Sequence, residues 1–557
     1  MKGLKTLLAL GLSIALTAGV LSGCGGSAGS GSSGQASGET QEAAGDTGTQ
    51  EASFEDTETQ AAAGDEGISA DSPYAGKGFD LSERKTVVMY ALGDRPADMD
   101  EVLEKLNNDY LIPWLNSELE MQFLNWSDYT TKYSLVLAGG ETVDLMYTAA
   151  WCYYNDEAAK GAFMELTPEW LETNMPYSYP QQPEESWDQI AIGDKIYAIP
   201  RSGAFFNGYM FVAVRSDMMD KYGYESLSSW DDYTSYLKDV AADTKTTGIS
   251  ASAMTPTRDE TTPLWSQTQG ISAVVSGQDW FYQTNNSEKA PAPENIFYYY
   301  TSDYYLQYAL ESAELAAAGC WSSNAINDTN DPRDSFANGT SASYSYNETI
   351  YSVGKDLESA GLGTYEAYDL APGFKRARGS YADDAIAIAT NSKDPVRAAL
   401  VLDALKAFPE VNNLIIGGIQ GKHFDLDEDG NRIVLDGSAG YAWNAWSWAL
   451  QRYDQPQDAT MDDRQKEFLA ICEDNVYVPE FTGFTFDKAP VEAELNVINS
   501  IRDEYKYSFT LGVYGKDTEA KFEEFKGKLE AAGLEKVTEE FKSQYMAYCE
   551  KKGISPE

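Results

Sequence analysis

An α/β fold is the reading this chain supports, and its first folded stretch predicts it in three observations. Residues 86–90, 120–123 and 143–147 are short β-rich runs that read as strands. Between them, 98–115, with a break near Pro113, and 129–138, closed by Gly139-Gly140, carry helical periodicity. Strands alternating with helices predict a largely parallel sheet. In such sheets ligands sit beyond the carboxyl ends of the strands, so the loops after Tyr90 and Tyr147 are where a site is expected.

The N-terminus predicts how the chain is handled. Two lysines lie within residues 1–5, an apolar run of small residues fills 6–21, and Leu21-Ser22-Gly23-Cys24 follows at once. A basic start, an apolar centre and a small-residue cleavage site make a secretory signal over 1–23. The cysteine behind it resembles the bacterial lipobox, which implies acylation of Cys24. No later window is apolar enough to span a bilayer, so the body is expected outside the cytoplasm, on the extracellular face of the membrane, held by lipid. Residues 24–80 are rich in Gly, Ser, Glu, Asp, Ala and Thr, with few aromatics. Such a segment buries too little apolar area to offset its chain entropy and reads as a disordered acidic tether.

Roughly 475 residues follow the tether, enough for two domains or two lobes of one unit. The formal net charge of -47 disfavours nucleic acid and anionic lipid as partners. Tyr (37) and Trp (12) are abundant. Their rings suit the apolar C–H faces of sugars, and tyrosine adds a hydroxyl, although large extracellular proteins also spend such residues on cores. Apart from Cys24, the cysteines are Cys152, Cys320, Cys472 and Cys549, scattered and without a CxxC pair, compatible with disulfides or with buried thiols. The single histidine, His423, leaves no material for histidine-based zinc sites and little for Ser-His or Cys-His catalysis. No cofactor motif is present. Acids are plentiful, so a carboxylate-dependent glycosidase stays open, but no spacing singles out a pair.

Longer motifs then carry a family resemblance. Val143-Asp144-Leu145-Met146-Tyr147, Ala150-Trp151 and Gly161-Ala162-Phe163-Met164-Glu165-Leu166-Thr167 resemble the first lobe of family 1 extracellular solute-binding proteins of ABC importers. Lys195-Ile196-Tyr197-Ala198-Ile199-Pro200 resembles their strand into the interlobe crossing. Phe336-Ala337-Asn338-Gly339-Thr340-Ser341-Ala342 resembles a passage of the second lobe, and Asn391-Ser392-Lys393-Asp394-Pro395 the return to the first. Gly417-Gly418-Ile419-Gln420-Gly421-Lys422-His423-Phe424, Gly483-Phe484-Thr485-Phe486-Asp487 and Ala531-Ala532-Gly533-Leu534 resemble a lipoprotein subgroup with a C-terminal domain of unknown function. The resemblance implies a two-lobed periplasmic-binding-protein-like fold of type II, each lobe a mixed sheet flanked by helices, with the ligand cleft at the hinge. It places lobe one at 84–206 and 375–480, and lobe two at 207–374 and 481–557. It also implies a monomer that closes on a solute, an oligosaccharide by the aromatic excess, and passes it to permease subunits; peptides or another solute are the alternative.

Candidate ligand contacts follow from position. Trp151 and Tyr153 lie just past the third predicted strand, as a sugar platform or as a plug beneath the loop. Trp443 and Trp446 share a helical face, which favours packing as much as a cleft. Tyr344 and Tyr346 alternate on a predicted strand and point together, with Asn347 offering donor and acceptor beside them. Asp94 follows the first strand, as a hydroxyl acceptor or a turn residue. Arg201 follows Pro200, lining the crossing or pairing with an acid. Asp425, Asp427, Asp429 and Asp436 have the spacing of a calcium loop, but Arg432 stands where an apolar residue is usual and Asp429-Gly430 is more simply a hairpin turn.

Overall fold

The computed structural model describes residues 67–557, except 127, 204–208, 257–260, 442–447, 451 and 453–454. Cys24, Trp443 and Trp446 lie outside the described residues. The early strands are β1 (Lys85–Leu92), β2 (Ser117–Leu124), β3 (Leu145–Thr148), β4 (Ile199–Pro200) and β5 (Phe211–Arg215). Next come β6 (Ile271–Ala273), β7 (Trp280–Gln283), β8 (Phe297–Tyr298), β9 (Ser343–Tyr346) and β10 (Tyr365–Tyr368). The last are β11 (Arg376–Ala377), β12 (Ala385–Ile388), β13 (Phe424–Leu426), β14 (Arg432–Val434) and β15 (Val476–Tyr477).

The first lobe is built on a sheet of order β2-β1-β3-β12-β4. β1 runs parallel to β2 and β3, as the alternation of elements predicts. β12 lies antiparallel to β3 and β4, because it arrives from the other lobe rather than through a helical crossover. The expected helix over 98–115 begins as Met99–Leu106, burying Met99, Val102, Leu103 and Leu106 at helical spacing. It then widens into a π turn at Asn107–Leu111, where the Asn107 amide pairs in both directions with the Leu119 backbone at 2.8 and 3.1 Å. Pro113 stands in the first turn of a new short helix, Ile112–Leu115, and Asn116 closes it in the left-handed region at φ 47°. Helix Pro395–Ala407 is buried from Arg397 to Ala407 against this sheet.

Part of the stretch read as tether belongs to this core. Tyr74 is fully buried, as is Leu81 just beyond that stretch. The Tyr74 hydroxyl donates to Asp403 at 2.8 Å, and the same carboxylate accepts the Ser178 hydroxyl and amide, each at 2.6 Å. Composition hid this anchor because one aromatic among small residues does not change an average.

The second lobe holds a sheet of order β10-β5-β9, expected as mixed but antiparallel throughout, and a meander β6-β7-β8. Helices Glu492–Thr510, Thr518–Ala531 and Leu534–Lys552 share its core: Trp280 of β7 stacks on Phe541 at 4.6 Å, and Phe484 and Phe486 pack on the same ring. Helix Asp463–Asp474 was expected in lobe one. Its Phe468 and Cys472 pack instead with Tyr209, Phe211 and Tyr344, on β5 and β9 of lobe two. Exposed lysines of the C-terminal region reach back to lobe one: Lys551 pairs with Asp194, Lys552 with Asp188 and Lys488 with Asp156, the latter two at 3.6 Å. The four described cysteines are buried free thiols. No helix among the described residues is long and apolar enough to cross a membrane.

Candidate functional site: the cleft between the lobes

Two chain crossings lie side by side at the hinge, where β11 pairs in parallel with β15. Above them opens a cavity of about 590 Å³ walled by both lobes. Lobe one supplies Ala150 from the loop after β3, Asn155 from the short helix Tyr154–Ala159 and Gln189 from the helix Glu184–Ile190. Lobe two supplies the face of helix Thr261–Thr268, the β6–β7 hairpin, Tyr299 and Tyr300, and the crossing adds 374–380.

Local structure explains how these walls are held. The Gln267 amide accepts from the Met210 N–H at 2.8 Å and donates to its carbonyl at 2.7 Å, tying the helix to the residue that leads into β5. Gly270 follows at φ +64°, and a Cβ there would lie 2.4 Å from the Phe374 ring, so only glycine lets that ring lie against the wall. Gly277, at the β6–β7 turn, faces Trp151 across the lobes. Apolar faces are thus presented by Phe281, stacked on Tyr299 at 4.7 Å, and by Tyr300 and Phe374.

Polar groups complete the lining. Asn155 Oδ1, Ser266 Oγ, Arg376 Nε and Arg378 Nε are buried and have no hydrogen-bond partner among the described residues. Each such orphan costs about 1–3 kcal/mol. Their concentration on one cavity, interleaved with aromatic faces, suits a ligand rich in hydroxyls with apolar C–H faces.

The structure distributes the expected contacts widely. Trp151 lies beside Gly277 but is not itself among the cavity residues, and its indole N–H donates to the Asp383 carbonyl at 2.8 Å. Tyr153 stacks on Tyr133 at 4.9 Å and its hydroxyl donates to the Thr130 carbonyl, which makes it a prop beneath the loop. Asp94 is exposed after the Gly93 turn and is not among the cavity residues. Arg201, 5% exposed, is held inside lobe one: its guanidinium meets Asp384 at 2.5 Å and the Gly203 carbonyl at 2.8 Å. Tyr344 and Tyr346 do point together, ring centroids 6.4 Å apart, but Tyr344 is buried in the lobe-two core. Asn347 accepts from the Thr349 N–H at 3.1 Å, a local turn just before helix Thr349–Ser359. Beside it Glu348 is exposed to solvent.

His423 is structural: Nδ1 accepts from the Ile419 N–H at 2.8 Å, Nε2 lies 3.1 Å from Asp98, and the ring stacks on Tyr441. The calcium-spaced aspartates form a hairpin, β13 against β14. Asp427 accepts from the Asp429 and Asn431 amides at 2.9 and 2.7 Å, and Asp425 from Gln420 and Leu426. The described residues contain no group of three metal-ligating side chains. Asp425, Asp427 and Asp429 belong to the hairpin, with Asp429-Gly430 in its turn, whereas Asp436 lies past β14 and opens the 3-10 segment Asp436–Tyr441.

Phe281, Tyr300, Phe374, Asn155, Ser266 and Arg378 escaped the sequence reading. One signal was available: Lys375-Arg376-Ala377-Arg378 is a basic run in an acidic chain, and it falls in the interlobe crossing.

Two α/β lobes joined by adjacent crossings, with a lined cleft between them, define a solute-binding receptor. The chain belongs to the bacterial extracellular solute-binding protein family, whose pattern it matches over residues 115–407. Residues 480–550 match a domain of unknown function (DUF3502), so both parts of the resemblance read from sequence hold. It is 23% identical over 495 residues to a carbohydrate ABC transporter substrate-binding protein of Streptococcus pneumoniae serotype 4, covering 86% of this chain and 93% of that one. Among solved structures it resembles the N-glycan transport solute-binding protein NgtS of S. pneumoniae (TM-score 0.66, 19% identity, 84% of this chain and 100% of that). It also resembles the S. pneumoniae ABC-transporter substrate-binding protein FusA in complex with kestose (TM-score 0.57, 16% identity, 84% and 100%).

Proposed function

We propose that this chain captures an oligosaccharide in the interlobe cleft and delivers it to an ABC importer, anchored to the outer face of the membrane by lipid on Cys24. The observation that carries the reading is the cavity lining, where the faces of Phe281, Tyr300 and Phe374 alternate with buried polar atoms that lack protein partners. That pairing matches the two faces of a sugar ring. The relatives point the same way, one a carbohydrate ABC transporter substrate-binding protein and another solved in complex with kestose. The chain acts as a monomer, binds without turnover, and presents both lobes to the permease subunits when closed.

Thermal unfolding of the purified full-length protein against a panel of oligosaccharides and peptides tests this. A ligand at a hundredfold its dissociation constant adds about 2.7 kcal/mol of stability. An upward shift with one glycan class, and intact glycan recovered afterwards, is the expected result. A shift with peptides alone overturns the carbohydrate assignment, and released sugar product overturns the absence of catalysis.

A further inference from the structure

The cleft carries a charge opposite to that of the chain. Acids outnumber bases 88 to 41 in the sequence. The cavity lining nevertheless includes Lys375, Arg376 and Arg378 alongside only Asp279 and Asp383. Both carboxylates are engaged by the protein. Asp279 takes the Arg502 guanidinium at 2.7 Å and the Tyr298 hydroxyl at 3.2 Å. Asp383 is 2% exposed and accepts the Ser380 N–H at 3.0 Å, closing a capping box on its own backbone. Arg376 is likewise spent, paired with Asp369 at 2.8 Å and donating to the Ala371 carbonyl.

Arg378 differs. Only its backbone is tied, its N–H donating to the Tyr477 carbonyl at 2.8 Å. Among the described residues its guanidinium has no ion pair or hydrogen bond, and its Nε is sheltered from solvent. Two residues along the crossing from Arg376, it faces the same side of the extended segment, toward the cavity. A half-buried guanidinium without a counter-charge is a poor arrangement unless an anion visits it, and its planar fork matches a carboxylate in two parallel bonds. Phe374, four residues earlier in the same wall, supplies a flat apolar surface for the ring that bears this group.

Resting on the carbohydrate reading above, the geometry points to a carboxylate-bearing oligosaccharide as the ligand, its acidic sugar docked on Arg378. Uronic acid units and sialic acid ends share this chemistry.

Titration calorimetry on the purified full-length protein tests the assignment with trigalacturonate and sialyllactose as the two acidic probes, and maltotriose and lactose as neutral ones. One acidic probe is expected to bind at least tenfold more tightly than either neutral one, with affinity falling as salt rises. Arg378→Gln should shrink the acidic-to-neutral ratio tenfold or more, and Arg378→Lys should restore part of it. Neutral probes binding as well as acidic ones overturns this inference and leaves the carbohydrate reading standing. Failure of all four to bind overturns both. The wild-type comparison decides the matter even if Arg378→Gln folds poorly.

Discussion

Phe374 owes its place in the wall to an absence at Gly270, since any Cβ there would strike the ring. Removing the ring as Phe374→Ala should weaken oligosaccharide binding by about 1 kcal/mol, roughly fivefold in dissociation constant, with little change in melting temperature. Calorimetry beside thermal unfolding separates the two effects. At this scale the sequence was only partly readable. The rule that sites follow strand ends leads to Trp151, which stands next to the cavity-lining Gly277. Tyr344 and Arg201 were not separable from core, because an alternating tyrosine and a crossing arginine serve packing and binding with the same spacing. Ser266 and Asn155 carry no motif; what marks them is burial without a partner, which only folded coordinates display.

Among the elements, β4 is the one on which the hinge leans. It pairs with β12, and Lys406, 3% exposed, donates to the Pro200 carbonyl at 3.0 Å and to that of Ala449 at 3.3 Å. Burial, helped by Arg201 and Arg452, pushes the Lys406 ammonium down to about 7. Next to it, burial pushes Asp384 up to about 6, although Arg201 and Tyr147 draw it back. For the lysine the folded value lies below the unfolded one, near 10.4. Between pH 7 and about 10 the unfolded chain holds a proton that the folded chain lacks, so stability rises with pH across that window, by at most about 1.4 kcal/mol per unit. Thermal unfolding of wild type and Lys406→Met should therefore show the wild type gaining on the variant from pH 7 to 10. A constant gap over that range contradicts a neutralised buried lysine. The strands and helices of the first lobe were legible to within a few residues because their periodicity is local. The antiparallel entry of β12 and the seating of helix Asp463–Asp474 on lobe two were not. Both depend on partners far along the chain, and no local pattern encodes them.

At the scale of the whole molecule, closure around a ligand should reduce the radius of gyration measured by small-angle scattering, and a glycan that binds without compaction would argue against hinge motion. The lysine pairs from the C-terminal helices to lobe one add a second influence on that balance. They are exposed, and such pairs contribute about 0–1 kcal/mol each. Raising salt from 0.15 to 1 M shortens the screening length from about 8 to about 3 Å, which reaches these contacts while more distant repulsion is already damped. Ligand-free protein is expected to expand over that range, and the triple variant Lys488→Gln, Lys551→Gln, Lys552→Gln to show no response. The domain of unknown function would then work as an ionic clasp at the rim of the cleft. The readiness of the receptor to snap shut would be set by the brine it sits in before any sugar arrives.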